Sequence, residues 1–557
     1  MKIGIVHGYL LTGTGSNIYV RNLVQKFVEG GHEVFLFCQE PKPELINFIN
    51  DINIFNTDNI TFRQTLNRKT TFKGQCHFFK PNLHGILPVF VLDKYEGYTV
   101  KEFHNMPLDE IENYIFYNVK AIKTVLDKIE PDFIQTNHFI MSPYIIFKAL
   151  GHKQIPYFLT IHGSCLNFSV KKDTRLVPYA LTALESAYKC CTLSEHTAYE
   201  LKEFLQSQNY QLKDDIKIIP AGCDTDVFNV SAASKKQNLK KLYKLFSANF
   251  KKGGKNPDIT QQFANELSTF SKEKYSEIRN NQLKQLFKKY NEYYDKRLPD
   301  EDVIEKLKNI NVEKEKIILF TGKYLWTKGI QDIITASPLI FEQIPDARII
   351  LVGFGDSREI FEGLIFALSS GDYELYTYLC EHHAALDIGT NVLTPDTSLT
   401  FLNKLKQDKK IKNYFKLAGN RSIKDKIIFT GIFNHEQLKY LLPCADIFVA
   451  PSIFTESFGL VAIEALSCGV FPMVTYAYGF KEISDIIFKC FPKETKDIKK
   501  LALDEYFIEN LAHNIITVLN NNRFHTPDFK RKCYKIVENN YSWDAVAQIY
   551  ENILKSK

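Results

Sequence analysis

The sequence predicts an α/β protein with two Rossmann-like domains and helical insertions. Its 557 residues exceed what one hydrophobic core usually organises. Residues 1–40 indicate a strand, a loop, a helix and a second strand, which is a βαβ opening. The order of strand, glycine turn and helix recurs in KIILFTGKYLWTKGIQDII, which starts at Lys316. Each half of the chain therefore begins a sheet of its own.

Composition indicates an ordinary globular protein, with 45% hydrophobic and 24% charged residues. A net charge of +6 over this length is too weak to indicate nucleic-acid binding, but it is compatible with an anionic substrate or a membrane surface. No run of about 18 apolar residues occurs, and glycines interrupt the first residues where a signal peptide needs an apolar core. Eleven cysteines without a C-x-x-C pair fit a reducing compartment. We expect a cytoplasmic protein, with room for a peripheral position at the inner face of the membrane.

The loop after the first strand carries Gly13 and Gly15, which allow a phosphate or a sugar to approach the backbone where the helix begins. A dinucleotide-binding fingerprint is the alternative, with Glu40 as the ribose-binding acid. The third glycine of that fingerprint is missing, so the evidence for NAD is weak. Residues 44–112 predict irregular strands and loops that shape an acceptor site. Two later strands end at His138 and His162, where ligands usually bind in an open α/β sheet.

The most informative stretch is APSIFTESFGLVAIEALSCGVFPMV, residues 450–474. It predicts a strand end, a loop and a helix closed by a glycine. Glu456 lies in the loop and Glu464 in the helix, so both acids can face one site. The N–H groups of the turn would point at the same space and favour a phosphate there; they belong to Phe458, Gly459 and Leu460.

This stretch resembles the E-x7-E signature of retaining GT-B glycosyltransferases, and of glycosyltransferase family 4 in particular. The resemblance implies that Glu456 contacts the donor sugar hydroxyls and Glu464 the ribose. The segment at Lys316 is similar to the family's GRL..KG segment, in which two cations neutralise the nucleotide diphosphate. Lys323 stands where the family usually has Arg, and Lys328 precedes its glycine as expected. A lysine gives a point charge where arginine would give a fork.

Further segments extend the resemblance. IKIIPAGCDTDVFN is similar to the family's IPNGVD segment. The family often has a histidine near the reaction centre, which implies that role for His162, and its base-binding loop corresponds to the loop after Gly431. The resemblance implies two Rossmann-like domains that face each other across a cleft. We expect the ranges 1–228 (acceptor side), 229–312 (lysine-rich helical insertion), 313–535 (nucleotide-sugar side, with a helical insertion at about 359–423) and 536–557 (a helix packing back on the first domain).

Two D-x-D pairs resemble the metal motif of another glycosyltransferase class, because two carboxylates can hold Mg²⁺ or Mn²⁺ beside a diphosphate. We expect Asp224 and Asp226 to cap a turn, and Asp300 and Asp302 to begin a helix. No catalytic metal and no cofactor is expected beyond the nucleoside diphosphate sugar itself. The lysine-rich range 230–312 predicts either a solvated insertion or a face that docks an anionic membrane or a polyanionic acceptor.

The predicted reaction moves a sugar from a nucleoside diphosphate sugar, most simply a UDP-sugar, to an acceptor hydroxyl with retention, a hexosyltransferase reaction of glycan biosynthesis. His162, Lys328 and Glu456 are the predicted catalytic residues. The acceptor is a carbohydrate, a lipid-linked sugar or a small molecule. Two alternatives stay open: a non-catalytic nucleotide-sugar-binding or scaffold protein, and an NAD-linked oxidoreductase.

Overall fold

The computed structural model describes residues 1–13, 15–91, 95, 97–249, 251–270, 277–386, 394–420 and 423–555. Parts of both predicted insertions therefore lie outside the described residues. Contacts divide the chain into two compact units. Unit 1 comprises residues 1–222 and 540–557, and unit 2 comprises residues 223–539.

The described part of unit 1 contains a nine-stranded sheet in the order β11-β10-β9-β8-β1-β2-β5-β3-β4. The strands pair in parallel except for β3 and β4, which are antiparallel. The bounds are β1 Lys2–Val6, β2 Glu33–Phe37, β3 Asp51–Phe55, β4 Phe62–Asn67, β5 Gln75–Lys80, β8 Phe133–Asn137, β9 Tyr157–Ile161, β10 Lys189–Thr192 and β11 Lys217–Ile218, with a small separate sheet of β6 Ile86–Val89 and β7 Thr99–Glu102.

The described helices of unit 1 alternate with these strands, because parallel strands need a crossover between them. They are α1 Gly15–Glu29, α2 Leu108–Leu126, α3 Ser142–Leu150, α4 Val177–Ser186 and α5 Glu195–Ser207. The last helix of the chain, Trp543–Lys555, also belongs to this unit. Its Tyr550 hydroxyl lies 2.9 Å from the Tyr19 hydroxyl and 3.0 Å from Thr160 Oγ1 in the buried core. These bonds satisfy three buried hydroxyls and fix the helix to α1 and β9.

Unit 2 is built on a parallel sheet in the order β14-β13-β12-β15-β16. The strands are β12 Lys316–Lys323, β13 Ala347–Phe354, β14 Ile427–Phe429, β15 Ile447–Ala450 and β16 Pro472–Val474. Numbered from β12, this is the 3-2-1-4-5 order of a Rossmann half, in which the order of the strands reverses between β12 and β15. Ligands in such sheets bind beyond the carboxyl ends of the strands at that switch point.

The described helices of unit 2 are numerous because two segments add helices to the Rossmann core. They are α6 Lys235–Asn249, α7 Pro257–Phe270, α8 Glu277–Asn291, α9 Val303–Lys308, α10 Ile330–Gln343, α11 Arg358–Ser370, α12 Tyr373–Leu386, α13 Thr397–Gln407, α14 Ile411–Asn420, α15 Ile423–Lys426, α16 His435–Leu441, α17 Leu460–Ser467, α18 Tyr478–Cys490, α19 Phe507–Asn520 and α20 Pro527–Tyr541; the final helix is α21.

A buried ionic network fastens the first of these segments to α11. Lys255, 1% exposed, contacts Glu359 at 2.9 Å and Glu362 at 2.6 Å. Arg358 forms a bidentate pair with Asp300, at 2.6 and 2.7 Å. Removing one member of such a pair leaves an uncompensated buried charge, so the network fixes the position of the segment. No described helix is both long and apolar enough to cross a membrane.

Candidate functional site

The loops after β12 and β15 flank the switch point of unit 2. Lys323 is the last residue of β12; it is exposed, and its ammonium lies 5.8 Å from the centre of the Phe354 ring. Lys328 ends a short 3-10 turn that leads through Gly329 into α10. The two predicted diphosphate-binding cations therefore lie at the two ends of one short connection between β12 and α10.

Lys328 and Glu456 contact each other directly. The Lys328 ammonium donates a hydrogen bond to Glu456 Oε1. The Ser452 hydroxyl donates to the same oxygen at 3.0 Å. The side chains of the ion pair are 29% and 18% exposed, so the pair lies at the edge of solvent rather than in the core. A carboxylate held this way is oriented and its charge is balanced.

Gly329 makes this contact possible. Its φ is +74°, and a Cβ there would lie 2.0 Å from the carbonyl oxygen of Pro451. The loop after β12 therefore touches the loop after β15 backbone to backbone, a distance that only glycine permits. This approach brings Lys328 to Glu456 although 128 residues separate them in sequence.

The start of α17 is fixed by a second close approach. Gly459 has a φ of +101°, and a Cβ there would lie 2.2 Å from the Phe480 ring. The N–H of Gly479 donates to the Glu456 carbonyl at 2.8 Å. Phe458 is buried, and Leu460 begins the helix. The predicted phosphate-facing turn therefore has a backbone fixed by α18.

Glu464 is buried in the second turn of α17, with 8% of its surface exposed. His435 Nε2, at the start of α16, lies 3.6 Å from Glu464 Oε1. Burial, and secondly the negative charge of Asp224, raise the pKa of Glu464 from 4.5 to about 8. At neutral pH this carboxyl group carries a proton, so it can donate a hydrogen bond as well as accept one.

Gly431 follows β14 and has a φ of +74°. A Cβ there would lie 2.7 Å from the Leu298 carbonyl oxygen, and the Asp300 N–H donates to the neighbouring Thr430 carbonyl at 2.8 Å. The Gly431 carbonyl accepts from the Gly353 N–H at 3.0 Å. The predicted base-binding loop is thus supported from one side by the inserted segment.

In unit 1, Gly13 and Gly15 face open space. Gly13 has a φ of +96°, Gly15 begins α1, and no described atom lies within 4 Å of a Cβ built on either. Thr14, between them, lies outside the described residues. These glycines leave room beside the helix start, which the fold itself does not fill.

His162 lies at the end of β9 and is almost fully buried. Its Nε2 lies 2.9 Å from Asn137 Oδ1, and the Asn137 amide group donates to the Val6 carbonyl, so the amide orientation is fixed. His162 Nε2 therefore carries the hydrogen and Nδ1 remains an acceptor. Burial, and secondly the proximity of His7, lower the pKa of His162 to about 3. The ring is neutral at physiological pH.

His138 and His7 surround His162. The His138 ring centre lies 4.8 Å from that of His162 and 5.7 Å from that of His7. Both ring nitrogens of His138 are buried without a hydrogen-bond partner. Burial lowers the pKa of His138 well below 6.5 and that of His7 to about 4. The three rings form a neutral cluster at adjacent strand ends.

The two D-x-D pairs have other roles in the structure. Asp224 Oδ1 accepts from the N–H groups of Asp226 and Val227, at 3.1 and 3.2 Å, so this pair caps a turn as expected. The second pair lies before a helix as expected, but its side chains do not cap that helix. Asp302 precedes α9 without a side-chain cap bond, and Asp300 is instead the buried partner of Arg358. Among the described residues, no group of three or more His, Cys, Asp or Glu side chains could hold a metal ion.

Three contacts of the site and one nearby charge were not anticipated from sequence. The contacts are His435 with Glu464, Ser452 with Glu456 and Asn137 with His162. The charge is that of Asp224, which acts on Glu464. Asn137 carried a signal, since it ends a strand next to His138. Asp224 belonged to a D-x-D pair, but that spacing did not predict its proximity to Glu464, and His435 and Ser452 had no distinctive spacing.

Two family models match consecutive parts of the chain. "Glycosyltransferase Family 4" matches residues 13–227, and "Glycosyl transferases group 1" matches residues 302–543. Together they span more than half of the chain and include every predicted site residue. The chain belongs to glycosyltransferase family 4. Residues 228–301, which include α6, α7 and α8, lie outside both matched ranges.

Individual proteins that are similar to this chain in sequence or in structure agree with the family assignment. An uncharacterised glycosyltransferase of Methanocaldococcus jannaschii is 25% identical over 270 residues, which cover 47% of this chain and 50% of that protein. The chain thus matches about half the length of this curated relative. Sucrose-phosphate synthase from Thermosynechococcus elongatus has a TM-score of 0.50 at 17% identity. Anabaena HepE, solved with UDP-glucose, has a TM-score of 0.50 at 13% identity. Each structural comparison covers 100% of both chains, and they show the GT-B fold with two Rossmann-like domains.

Proposed function

We propose that this family 4 protein transfers a sugar from a nucleoside diphosphate sugar to an acceptor hydroxyl, with retention at the anomeric carbon. The observation that carries the proposal is the Lys328–Glu456 pair at the switch point of unit 2. It places a cation and an oriented carboxylate where an α/β sheet binds its ligand. Glu464, on the helix that follows, adds a third polar group.

The diphosphate needs positive charge because it gains negative charge as the glycosidic bond breaks. We assign this task to Lys328, with Lys323 as the second cation. The turn at Phe458, Gly459 and Leu460 would receive a phosphate oxygen at the start of α17. Glu456 would hold the donor sugar through its hydroxyls. No catalytic metal is part of this proposal.

Glu464 and the loop after Gly431 would hold the nucleoside. A protonated Glu464 can donate to one ribose oxygen and accept from the other hydroxyl, which a carboxylate cannot do. We propose uridine as the base, because HepE was solved with UDP-glucose and shares the fold. The proposed acceptor is a carbohydrate, a lipid-linked sugar or a small molecule.

We propose no covalent nucleophile. In the retaining reaction the acceptor oxygen bonds to the anomeric carbon on the face of the sugar from which the diphosphate leaves, and the departing phosphate accepts the acceptor's proton. The protein therefore supplies positioning and charge. The neutral His162 offers Nδ1 as an acceptor for a sugar hydroxyl, and a ring with a pKa of about 3 does not protonate during turnover. Gly13 and Gly15 leave space for a sugar or a phosphate beside α1.

A thermal-shift panel of UDP, GDP and ADP sugars tests the proposal, because a ligand that binds only the folded state raises its melting temperature. We expect UDP-sugars to give the largest shift, and slow release of UDP to follow. Binding without release in the presence of any acceptor would identify a nucleotide-sugar-binding protein instead. A response to NAD alone would contradict the assignment. We place the reaction in glycan biosynthesis in the cytoplasm.

A further inference from the structure

One stretch of the chain is basic without interruption. Between Asp226 and Asp258 the sequence has eight lysines and no acidic residue. The stretch includes α6, which lies outside the ranges that match the family models. Its charge is therefore a property of the inserted segment and not of the Rossmann core.

Helix α6 separates its apolar and basic residues. Leu239, Leu242 and Phe246 are buried in unit 2. The lysines of the opposite side are exposed and follow each other at helical spacing, at positions 236, 240 and 244, with 241 beside them. Lys251 and Lys252, just after the helix, are also exposed. We call the six exposed lysines the lysine face: Lys236, Lys240, Lys241, Lys244, Lys251 and Lys252.

The lysine face is not neutralised within the described part of the chain. No described carboxylate lies within 4.0 Å of the ammonium group of any of these six lysines. The two other lysines of the stretch, in contrast, form ion pairs. Lys235 contacts Asp446 at 2.7 Å, and Lys255 is buried against Glu359. Elsewhere in the insertion several lysines form ion pairs, as Lys289 does with Glu266 at 2.7 Å.

The lysine face carries a positive charge equal in size to the net charge of the whole protein. The chain has 70 lysines and arginines against 64 acidic residues. The excess of six equals the number of lysines in the lysine face, so one helix face and the short turn after it concentrate as much positive charge as the net charge of the chain. An exposed charge is felt over about 10 Å at 0.1 M salt, so this excess acts locally on whatever approaches the face.

We propose that the lysine face docks the protein onto an anionic lipid surface. Clusters of four to eight lysines or arginines on a helix are typical of anionic-lipid recognition. The fifteen residues of α6 extend over about 22 Å, which suits several headgroups at once. The apolar side of α6 is already buried, so the contact is electrostatic and requires no insertion into the acyl chains.

A lipid surface fits better than a nucleic acid. Single strands bind to basic grooves that also offer aromatic rings for base stacking. None of the described residues that expose a large apolar side chain lies on α6 or at the two lysines after it. The proposal narrows the sequence-based expectation for residues 230–312 to one helix and its C-terminal turn. It does not rest on the donor chemistry, because vesicle binding needs neither donor nor acceptor.

The test is co-sedimentation of the full chain with vesicles of phosphatidylcholine alone and of phosphatidylcholine with phosphatidylglycerol. We expect binding only to the anionic vesicles, and loss of binding as salt increases. The variant Lys236→Gln, Lys240→Gln, Lys241→Gln, Lys244→Gln should partition at least a hundredfold more weakly, since each lysine near a membrane contributes about fivefold. Its melting temperature and UDP response should equal those of the native protein.

A matched control removes four exposed lysines elsewhere in unit 2: Lys406→Gln, Lys412→Gln, Lys416→Gln and Lys489→Gln. It has the same net charge as the α6 variant and should keep most of the binding. The proposal is overturned if the native protein ignores anionic vesicles, if both variants lose binding equally, or if a single-stranded oligonucleotide binds as tightly as the vesicles at the same salt.

Discussion

The ammonium of Lys328 donates its hydrogen bond to Glu456, so the residues proposed to bind the diphosphate and the sugar of the donor also bind each other. A diphosphate would compete with Glu456 for this cation. The donor sugar, in turn, would use the carboxylate oxygens that Lys328 and Ser452 now orient. The pair thus links diphosphate binding to the position of the sugar-binding group.

Replacing Lys328 tests the charge requirement. Lys328→Ala should lower kcat for UDP release about a hundredfold or more, the usual effect of losing one preorganised donor to a developing negative charge. Lys412→Ala, an exposed lysine on α14, is the control and should leave kcat unchanged. Equal kinetics in all three proteins would contradict the assignment of Lys328.

Replacing Glu456 should separate binding of the nucleotide from use of the sugar. Glu456→Gln frees Lys328 from its counter-charge, so free UDP should bind at least as tightly as to the native protein. Turnover of the UDP-sugar should fall, because the sugar loses its charged partner. Titration calorimetry with UDP and a UDP-release assay measure the two effects. A parallel fall in both would indicate a merely structural carboxylate.

Glu464 should behave as a neutral group at pH 7. Because burial raises its pKa from 4.5 to about 8, the native state binds this proton more tightly than the unfolded state. The contribution to stability is therefore complete below pH 4.5 and is lost as pH rises through about 8. Glu464→Gln should retain UDP affinity at pH 7 and remove this loss, whereas Glu464→Ala should weaken UDP binding. Melting temperatures from pH 5 to 9 check the slope.

The histidine cluster should lower the stability of the fold at acidic pH, whereas Glu464 should lower it at basic pH. His138 is held neutral in the fold, with a pKa well below 6.5, so the unfolded chain binds more protons as pH falls. The free energy of unfolding therefore decreases as pH falls from 7 to 5. His138→Asn suits the φ of +72° and does not titrate, so its stability should fall less between pH 7 and pH 5. Urea unfolding at the two pH values measures the difference.

Two glycine substitutions distinguish a ligand contact from a structural one. Gly15→Ala meets no described atom within 4 Å, so the protein should keep its melting temperature and lose activity only if a ligand occupies that space. Gly329→Ala places a Cβ on the Pro451 carbonyl and should lower both stability and UDP affinity. Normal activity of Gly15→Ala would remove Gly15 from the site.

Local structure could be predicted from the sequence wherever it depends on residues that are close together in the chain. The βαβ opening and the strand that starts at Lys316 were predicted, and the structure has both. The family signature indicated which residues to examine at the switch point. Order along the chain is enough for such features, since they depend on spacing of a few residues.

Contacts between residues far apart in the chain could not be predicted from the sequence. The contact of Gly329 with Pro451 depends on two loops meeting beyond the sheet, which fixes Lys328 against Glu456. The protonation of Glu464 depends on burial beside Asp224, and no spacing in the sequence encodes burial. Likewise the use of Asp300 as a buried ion-pair partner follows from the fold of the insertion around Arg358.

The most direct measurement of the central claim is release of UDP from UDP-glucose by the native protein and by Lys328→Ala, each with and without a mixture of sugar and lipid acceptors. The account predicts that the native protein releases UDP, and that release is faster when the mixture contains a suitable acceptor. The variant should release UDP about a hundredfold or more slowly than the native protein. Equal rates in both proteins, or binding of UDP-sugars without release under any condition, would contradict it.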